Sequence, residues 1–173
     1  VKDGKGPVTP DGDAPEEKYR LVVEGPPNWT NFFDFWRMFS REGATVVSST
    51  YTRVGGLYDT GFRHDSEAPI GTLADYCLGC YSILNLPSRT KLLANYIEKY
   101  KADGFLINSV KSCNSFSAGQ LLILRELEKK TGVPGGFIES DLVDPRYFGK
   151  ANIENRVQSY LQMLEARKAR ASA

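Results

Sequence analysis

The 173-residue chain is poor in the residues that most soluble catalysts draw on: it has one histidine, two methionines, two tryptophans and three cysteines. A single histidine, His64, leaves a thiol or hydroxyl nucleophile without a well-placed base. Charge is scarce in net terms: 22 basic and 21 acidic residues leave a formal charge of +1, which points to neither a nucleic-acid nor an acidic-membrane partner. No apolar run approaches the length needed to span a bilayer. No charged-then-apolar start resembles a signal peptide, and the cysteines then read as free thiols or metal ligands of a reducing, cytoplasmic compartment. Neither G-x-x-x-x-G-K-S/T nor G-x-G-x-x-G occurs, so a tightly held nucleotide in this domain is unsupported.

What is present is an ordinary soluble composition, 41% hydrophobic and 25% charged, on a chain long enough for one full core. Residues 1–17 are rich in Gly, Pro, Asp and Lys, carry no period, and read as a linker. The expectation is a carboxyl-terminal α/β domain over residues 18–173, joined by that linker to a preceding domain.

The body alternates strand and helix. Strands are predicted at Tyr19 to Val23, Ala44 to Ser48, Phe105 to Ser109 and Pro134 to Glu139. Helices are predicted at Trp29 to Arg41, with Asn28 or Thr30 as its cap, and at Ser88 to Tyr100, Phe116 to Lys130 and Lys150 to Arg167. A further helix at Ile70 to Ile83 carries Cys77 and Cys80. The third of those four helices has Leu121, Leu124 and Leu127 in line. The last has Ile153, Val157, Tyr160, Leu161 and Leu164 as its buried stripe. Between them, Ser49 to about Pro69 is a long irregular stretch holding Gly55-Gly56, Gly61 and His64. Helices of this length between strands imply parallel pairing with right-handed crossovers. The expected fold is therefore a three-layer α/β sandwich of the flavodoxin or Rossmann kind, with a four-stranded parallel sheet in the order 2-1-3-4.

That topology delivers each post-strand turn to one edge of the sheet. The edge collects Gly25-Pro26-Pro27-Asn28, the Tyr51 loop, Lys111 to Asn114, and Asp141 to Arg146. Cys113 stands in the polar turn Lys111-Ser112-Cys113-Asn114 at that edge. A neighbouring lysine and a helix amino terminus both favour a thiolate there. A thiolate is what a soft metal or an iron–sulfur cluster binds, but it is also a nucleophile, and cysteine is often simply buried. Cys77 and Cys80 form one C-x-x-C inside an apolar stretch, and read as packing cysteines more than as a redox or ligand pair. His64, between Arg63 and Asp65, reads as a solvated loop residue more than as an acid–base group. The carboxylates from Glu139 to Asp144, with Arg146, read as capping and salt-bridging around the last helix.

The run from Asp103 to Glu165 resembles the carboxyl-terminal domain of the 2-hydroxyacyl-CoA dehydratase and benzoyl-CoA reductase family. The pieces that carry it are DGFLINSVKSCNSFS, then KKTGVPGGFIESDLVDPR, then NRVQSYLQMLE, in that order and spacing. The loop at 49–69, the CLGC segment and the GPPNW turn look most like the benzoyl-CoA reductase side of the family. The resemblance implies a 4Fe–4S cluster shared between two α/β domains, with Cys113 as the ligand from the strand–Cys–helix turn and the other cysteines in the preceding domain. It also implies a homologous second catalytic subunit, an ATP-hydrolysing iron–sulfur activator as electron donor, and an acyl-CoA substrate. The implied reaction is low-potential electron transfer to the aromatic ring of benzoyl-CoA, giving a cyclohexadiene-carbonyl-CoA. Radical dehydration of a 2-hydroxyacyl-CoA is the alternative, and a non-catalytic flavodoxin-like binding domain a second. Tyr51, His64 and Lys111 are proton-donor candidates by type. The catalytic residues remain unassigned.

Overall fold

Every residue of Gly104–Val110 is buried, as a strand flanked by partners and covered on both faces requires. This strand, β3, pairs in parallel with β1 (Tyr19–Glu24) on one side and with β4 (Gly135–Ser140) on the other. The strand β2 (Ala44–Ser49) closes the sheet in the order β2-β1-β3-β4, all parallel. The computed structural model from which this architecture is read describes residues 16–51 and 65–171. The linker reading for residues 1–15, and His64, Gly55-Gly56 and Gly61, lie outside the described residues.

Alternation along the strands divides the core in two. Leu21, Val23, Leu106 and Ile138 face α1 (Phe32–Ser40) and α6 (Lys150–Ala171). Val22, Phe105 and Ile107 face α3 (Leu86–Lys99) and α5 (Gln120–Thr131). The expected three-layer α/β sandwich and its strand order are what the chain forms. The stripe Ile153, Val157, Tyr160, Leu161 and Leu164 is buried on α6 as read. Tyr160 is tied further, its hydroxyl donating to the Phe105 carbonyl at 2.8 Å.

Three expectations need correction. The helix expected over Phe116 to Lys130 is two helices, α4 (Asn114–Ser117) and α5, broken at Ala118-Gly119. Gly119 takes φ +78, and a Cβ there would sit 2.6 Å from a Leu86 methyl, so the turn requires glycine. The new register puts Ile123 and Leu127 in the core and leaves Leu121 56% exposed. The helix expected over Ile70 to Ile83 ends at Leu78 as α2 (Pro69–Leu78), and a 3-10 turn follows at Tyr81–Ile83. Asn28 does not cap α1 directly. Its Oδ1 accepts from the Asn31 N–H (2.9 Å) and the Thr30 hydroxyl (3.0 Å), forming the turn that precedes the helix.

Candidate functional site

The carboxyl ends of the strands do bring together the turns that the topology assigned to one edge. Gly25 follows β1 at φ +101, with its Cα packed so closely on β3 that a Cβ would lie 2.1 Å from the Asn108 carbonyl oxygen. Asn108 is fully buried and bridges two neighbours: its Nδ2 donates to the Pro26 carbonyl at 2.6 Å, and its Oδ1 accepts from the Ser140 hydroxyl at 2.9 Å. Asn28, also fully buried, donates to the Asp141 carbonyl at 2.6 Å, and the Trp29 N–H to the Leu142 carbonyl at 3.0 Å. The Trp29 ring stacks on Phe32 and meets Tyr51 edge-on, with centroids 5.7 Å apart in the second pair. Side-chain amides thus tie the loop after β1 to β3 and to the carboxyl end of β4, and the Asp141 carboxylate adds the loop after β3 to this rim.

Cys113 sits in that rim, half-buried and unbridged, outside both apolar cores. Its N–H donates to the Val110 carbonyl at 3.2 Å, and its carbonyl accepts from Phe116 (3.1 Å) and Ser117 (2.9 Å). The helix that follows has only four residues, too few to sum a useful dipole, so the expected electrostatic help from a helix end is missing. Lys111 carries its Nζ 5.3 Å from the Tyr147 ring centroid, engaged with that aromatic face.

Asp141 is the main support on the other side of the turn. It is 2% exposed, its Oδ2 accepts from the Ser112 N–H at 3.1 Å, and its Oδ1 from the Val143 and Asp144 N–H groups. The Ser112 hydroxyl and these backbone donors pull its carboxyl down to about 2. The expectation that this acidic run serves the last helix is corrected for Asp141, which braces Ser112, the residue before Cys113, in the turn after β3. Asp144 keeps a local role, pairing with exposed Arg146 two residues on, and the bond holds its carboxyl below the usual range.

Neither Cys77 nor Cys80 enters an apolar core. No residue of α2 is buried, Cys77 is exposed, and Cys80 is half-buried with its Sγ 3.8 Å from the Tyr76 carbonyl. The reading of the pair as packing cysteines fails for Cys77, since no residue of α2 is buried, and half-buried Cys80, beyond the end of that helix, belongs to neither core.

A buried polar cluster escaped the sequence reading. Glu24, at the end of β1, is 1% exposed, and accepts from the Tyr81 hydroxyl at 3.1 Å and from the Gln120 amide. Arg89, 5% exposed, lies with its guanidinium carbon 5.2 Å from the Tyr81 ring centroid. Burial drives the Glu24 carboxyl up from its ordinary 4.5 to about 7, against the pull of Gln120, Tyr81 and Arg89. Burial also pushes the Tyr81 hydroxyl far above its usual range, with Glu24 adding to it. A polar residue closing an apolar strand was the available signal, but a strand end reads equally well as solvent-facing.

The raised carboxyl has a measurable consequence. Below pH 4.5 folded and unfolded chains both hold the Glu24 proton. Between 4.5 and 7 the unfolded chain releases it while the folded chain keeps it, so stability falls as pH rises, and above 7 the loss is constant. The full span amounts to about 3 kcal/mol. Glu24→Gln, which cannot ionise, is expected to gain on the native sequence by an amount of that order between pH 4.5 and 8. Urea unfolding midpoints across that range check it, and a parallel pair of pH profiles would contradict it.

Among the described residues no group of three His, Cys, Asp or Glu side chains is placed to hold a metal. What the turn after β3 offers a metal centre is the half-buried thiol of Cys113 on a braced backbone, a donor suited to contributing a single ligand. Among the described residues no helix is long and apolar enough to cross a membrane.

A four-stranded parallel α/β sandwich with Cys113 in the turn after β3 defines the class, and comparison with known sequences gives the family. The chain belongs to the family described as 2-hydroxyglutaryl-CoA dehydratase, D-component, whose model matches residues 4–164. It is 66% identical over 172 residues to a benzoyl-CoA reductase subunit of Thauera aromatica, a match covering 99% of this chain and 40% of that protein. It is 27% identical to the (R)-2-hydroxyisocaproyl-CoA dehydratase alpha subunit of Clostridioides difficile, over 88% of this chain and 36% of that protein. Identity to the alpha subunit of (R)-2-hydroxyglutaryl-CoA dehydratase of Acidaminococcus fermentans is 24%, over 87% of this chain and 30% of that protein. The chain thus spans well under half the length of these relatives.

Proposed function

We propose that this chain is part of an iron–sulfur subunit of a benzoyl-CoA reductase, acting on the aromatic ring of benzoyl-CoA. The observation that carries the reading is the 66% identity to the Thauera aromatica benzoyl-CoA reductase subunit, maintained over 99% of the chain. The dehydratase subunits support the same family at 24–27% identity and fit the radical-dehydration alternative less well.

In this reading Cys113 supplies one thiolate to a 4Fe–4S cluster, and the remaining ligands come from sequence beyond this chain. Bound there, the cluster supplies single low-potential electrons, which an aromatic thioester needs because its ring resists reduction. The chain's own residues do the rest. Asp141 holds the Ser112 N–H and the Val110 carbonyl holds the Cys113 N–H, so the thiol's backbone is set before any ligand arrives. Trp29, Phe32 and Tyr51 form an aromatic ledge at the same edge of the sheet. Tyr51 and Lys111 stand at that edge as proton-donor candidates. A homologous catalytic subunit and an ATP-hydrolysing iron–sulfur activator complete the proposed assembly, in the cytoplasm.

The test is turnover by the full-length complex, purified without oxygen and supplied with activator, ATP and a low-potential reductant. Consumption of benzoyl-CoA with formation of a cyclohexadiene-carbonyl-CoA is expected. Dehydration of a 2-hydroxyacyl-CoA with benzoyl-CoA untouched would overturn the reading in favour of a dehydratase.

A further inference from the structure

Arg89 is a buried cation whose guanidinium reaches for backbone carbonyls. Its Nε donates to the Leu84 carbonyl at 2.9 Å, and its Nη2 to the carbonyls of Ser82 and, at 2.7 Å, Ser115. Ser115 is the second residue after Cys113. The guanidinium that reaches it is itself held over the Tyr81 ring, and the Tyr81 hydroxyl is anchored on Glu24. The other face of the same turn leans on this cluster too, since the Phe116 ring packs on Tyr81 with centroids 5.9 Å apart.

These contacts answer a mechanical problem. The helix after Cys113 has four residues and then breaks at Gly119, so it cannot stiffen the turn by itself. Asp141 secures the amino side of Cys113 through Ser112, and Arg89 secures the carboxyl side through Ser115. Only a planar fork can serve three carbonyls converging from two loops while lying on an aromatic face. A lysine at this place would keep the charge and lose that geometry.

We propose that Arg89, seated on the ring of the Glu24-anchored Tyr81, is a positioning residue for Cys113, clamping the turn so that the thiol is presented in one place. The proposal rests on the reading of Cys113 as a cluster ligand. It assigns to the Glu24–Tyr81–Arg89–Gln120 cluster a task that packing alone would not require, because each member is buried at a polar cost and the cluster ends on the Ser115 carbonyl.

The experiment compares Arg89→Gln, Arg89→Lys and Tyr160→Phe in the full-length complex, purified without oxygen. Tyr160→Phe removes a buried hydrogen bond on the opposite face of the sheet, and controls for general loss of stability. Amide exchange is read at Phe116 and Ser117, whose N–H groups bond the Cys113 carbonyl, and the reduced complex is read by electron paramagnetic resonance. Arg89→Gln is expected to speed exchange at those amides at least ~10-fold, corresponding to local opening made easier, and to alter the resonance line shape. Arg89→Lys should fall between Gln and the native residue, and Tyr160→Phe should leave both readouts as in the native complex. Unchanged exchange in Arg89→Gln would overturn the clamp, whether or not the complex holds iron. Faster exchange with an unchanged resonance spectrum would overturn its role in placing a ligand. A native complex devoid of iron would overturn the ligand reading itself, and this proposal with it.

Discussion

Replacing Gly25 by alanine is expected to unfold much of the chain. The new methyl would stand 2.1 Å from the Asn108 carbonyl oxygen, a backbone atom that no rotamer change can move aside. The position also has φ +101, which a side chain tolerates poorly. Relief requires β1 and β3 to separate where Asn108 ties Pro26 to Ser140, so strain spreads into the rim. The expected loss is about 3 kcal/mol or more, a large share of an ordinary domain's stability. Gly71→Ala is the matched control, because nothing lies within 4 Å of its added methyl and its helical site favours alanine. Urea unfolding of the two variants should show a collapse for the first and no loss for the second. Equal midpoints would show that the close approach of the two strands is not what holds the edge.

The second large effect separates function from stability. Cys113→Ser is nearly isosteric, and Cys113 contributes to neither apolar core. Its stability cost is expected to be within about 0.5 kcal/mol, as for a substitution outside any buried network. A serine hydroxyl is a poor substitute for a thiolate on iron. Reduction of benzoyl-CoA by the full-length complex should therefore fall below detection, while the unfolding midpoint of this chain without a cluster stays as in the native sequence. Activity near the native level would remove Cys113 from the mechanism.

The features legible in the sequence are those written in periodic patterns. Val22, Phe105 and Ile107 sit in short apolar runs, and Ile153 to Leu164 in a helical stripe, so strand order and the α6 face followed from spacing. The position of Cys113 at the carboxyl edge followed from topology. What spacing could not reveal is contact between distant residues. Arg89 reaches Ser115 across 26 positions and Glu24 meets Gln120 across 96, and the pattern of neither segment marks its partner. The break at Gly119 was visible as a glycine inside a leucine-rich run. Its consequence, a four-residue helix after Cys113 and an exposed Leu121, depends on where Leu86 packs. The C-x-x-C pair misled because an apolar neighbourhood in sequence was taken for an apolar neighbourhood in space.

The most direct measurement is iron and acid-labile sulfide in the full-length complex purified without oxygen, native against Cys113→Ser. A cluster held by Cys113 predicts that the variant loses the content of one cluster, about four iron and four sulfide, while the folded complex is recovered in normal yield. Iron and sulfide unchanged in Cys113→Ser would contradict it.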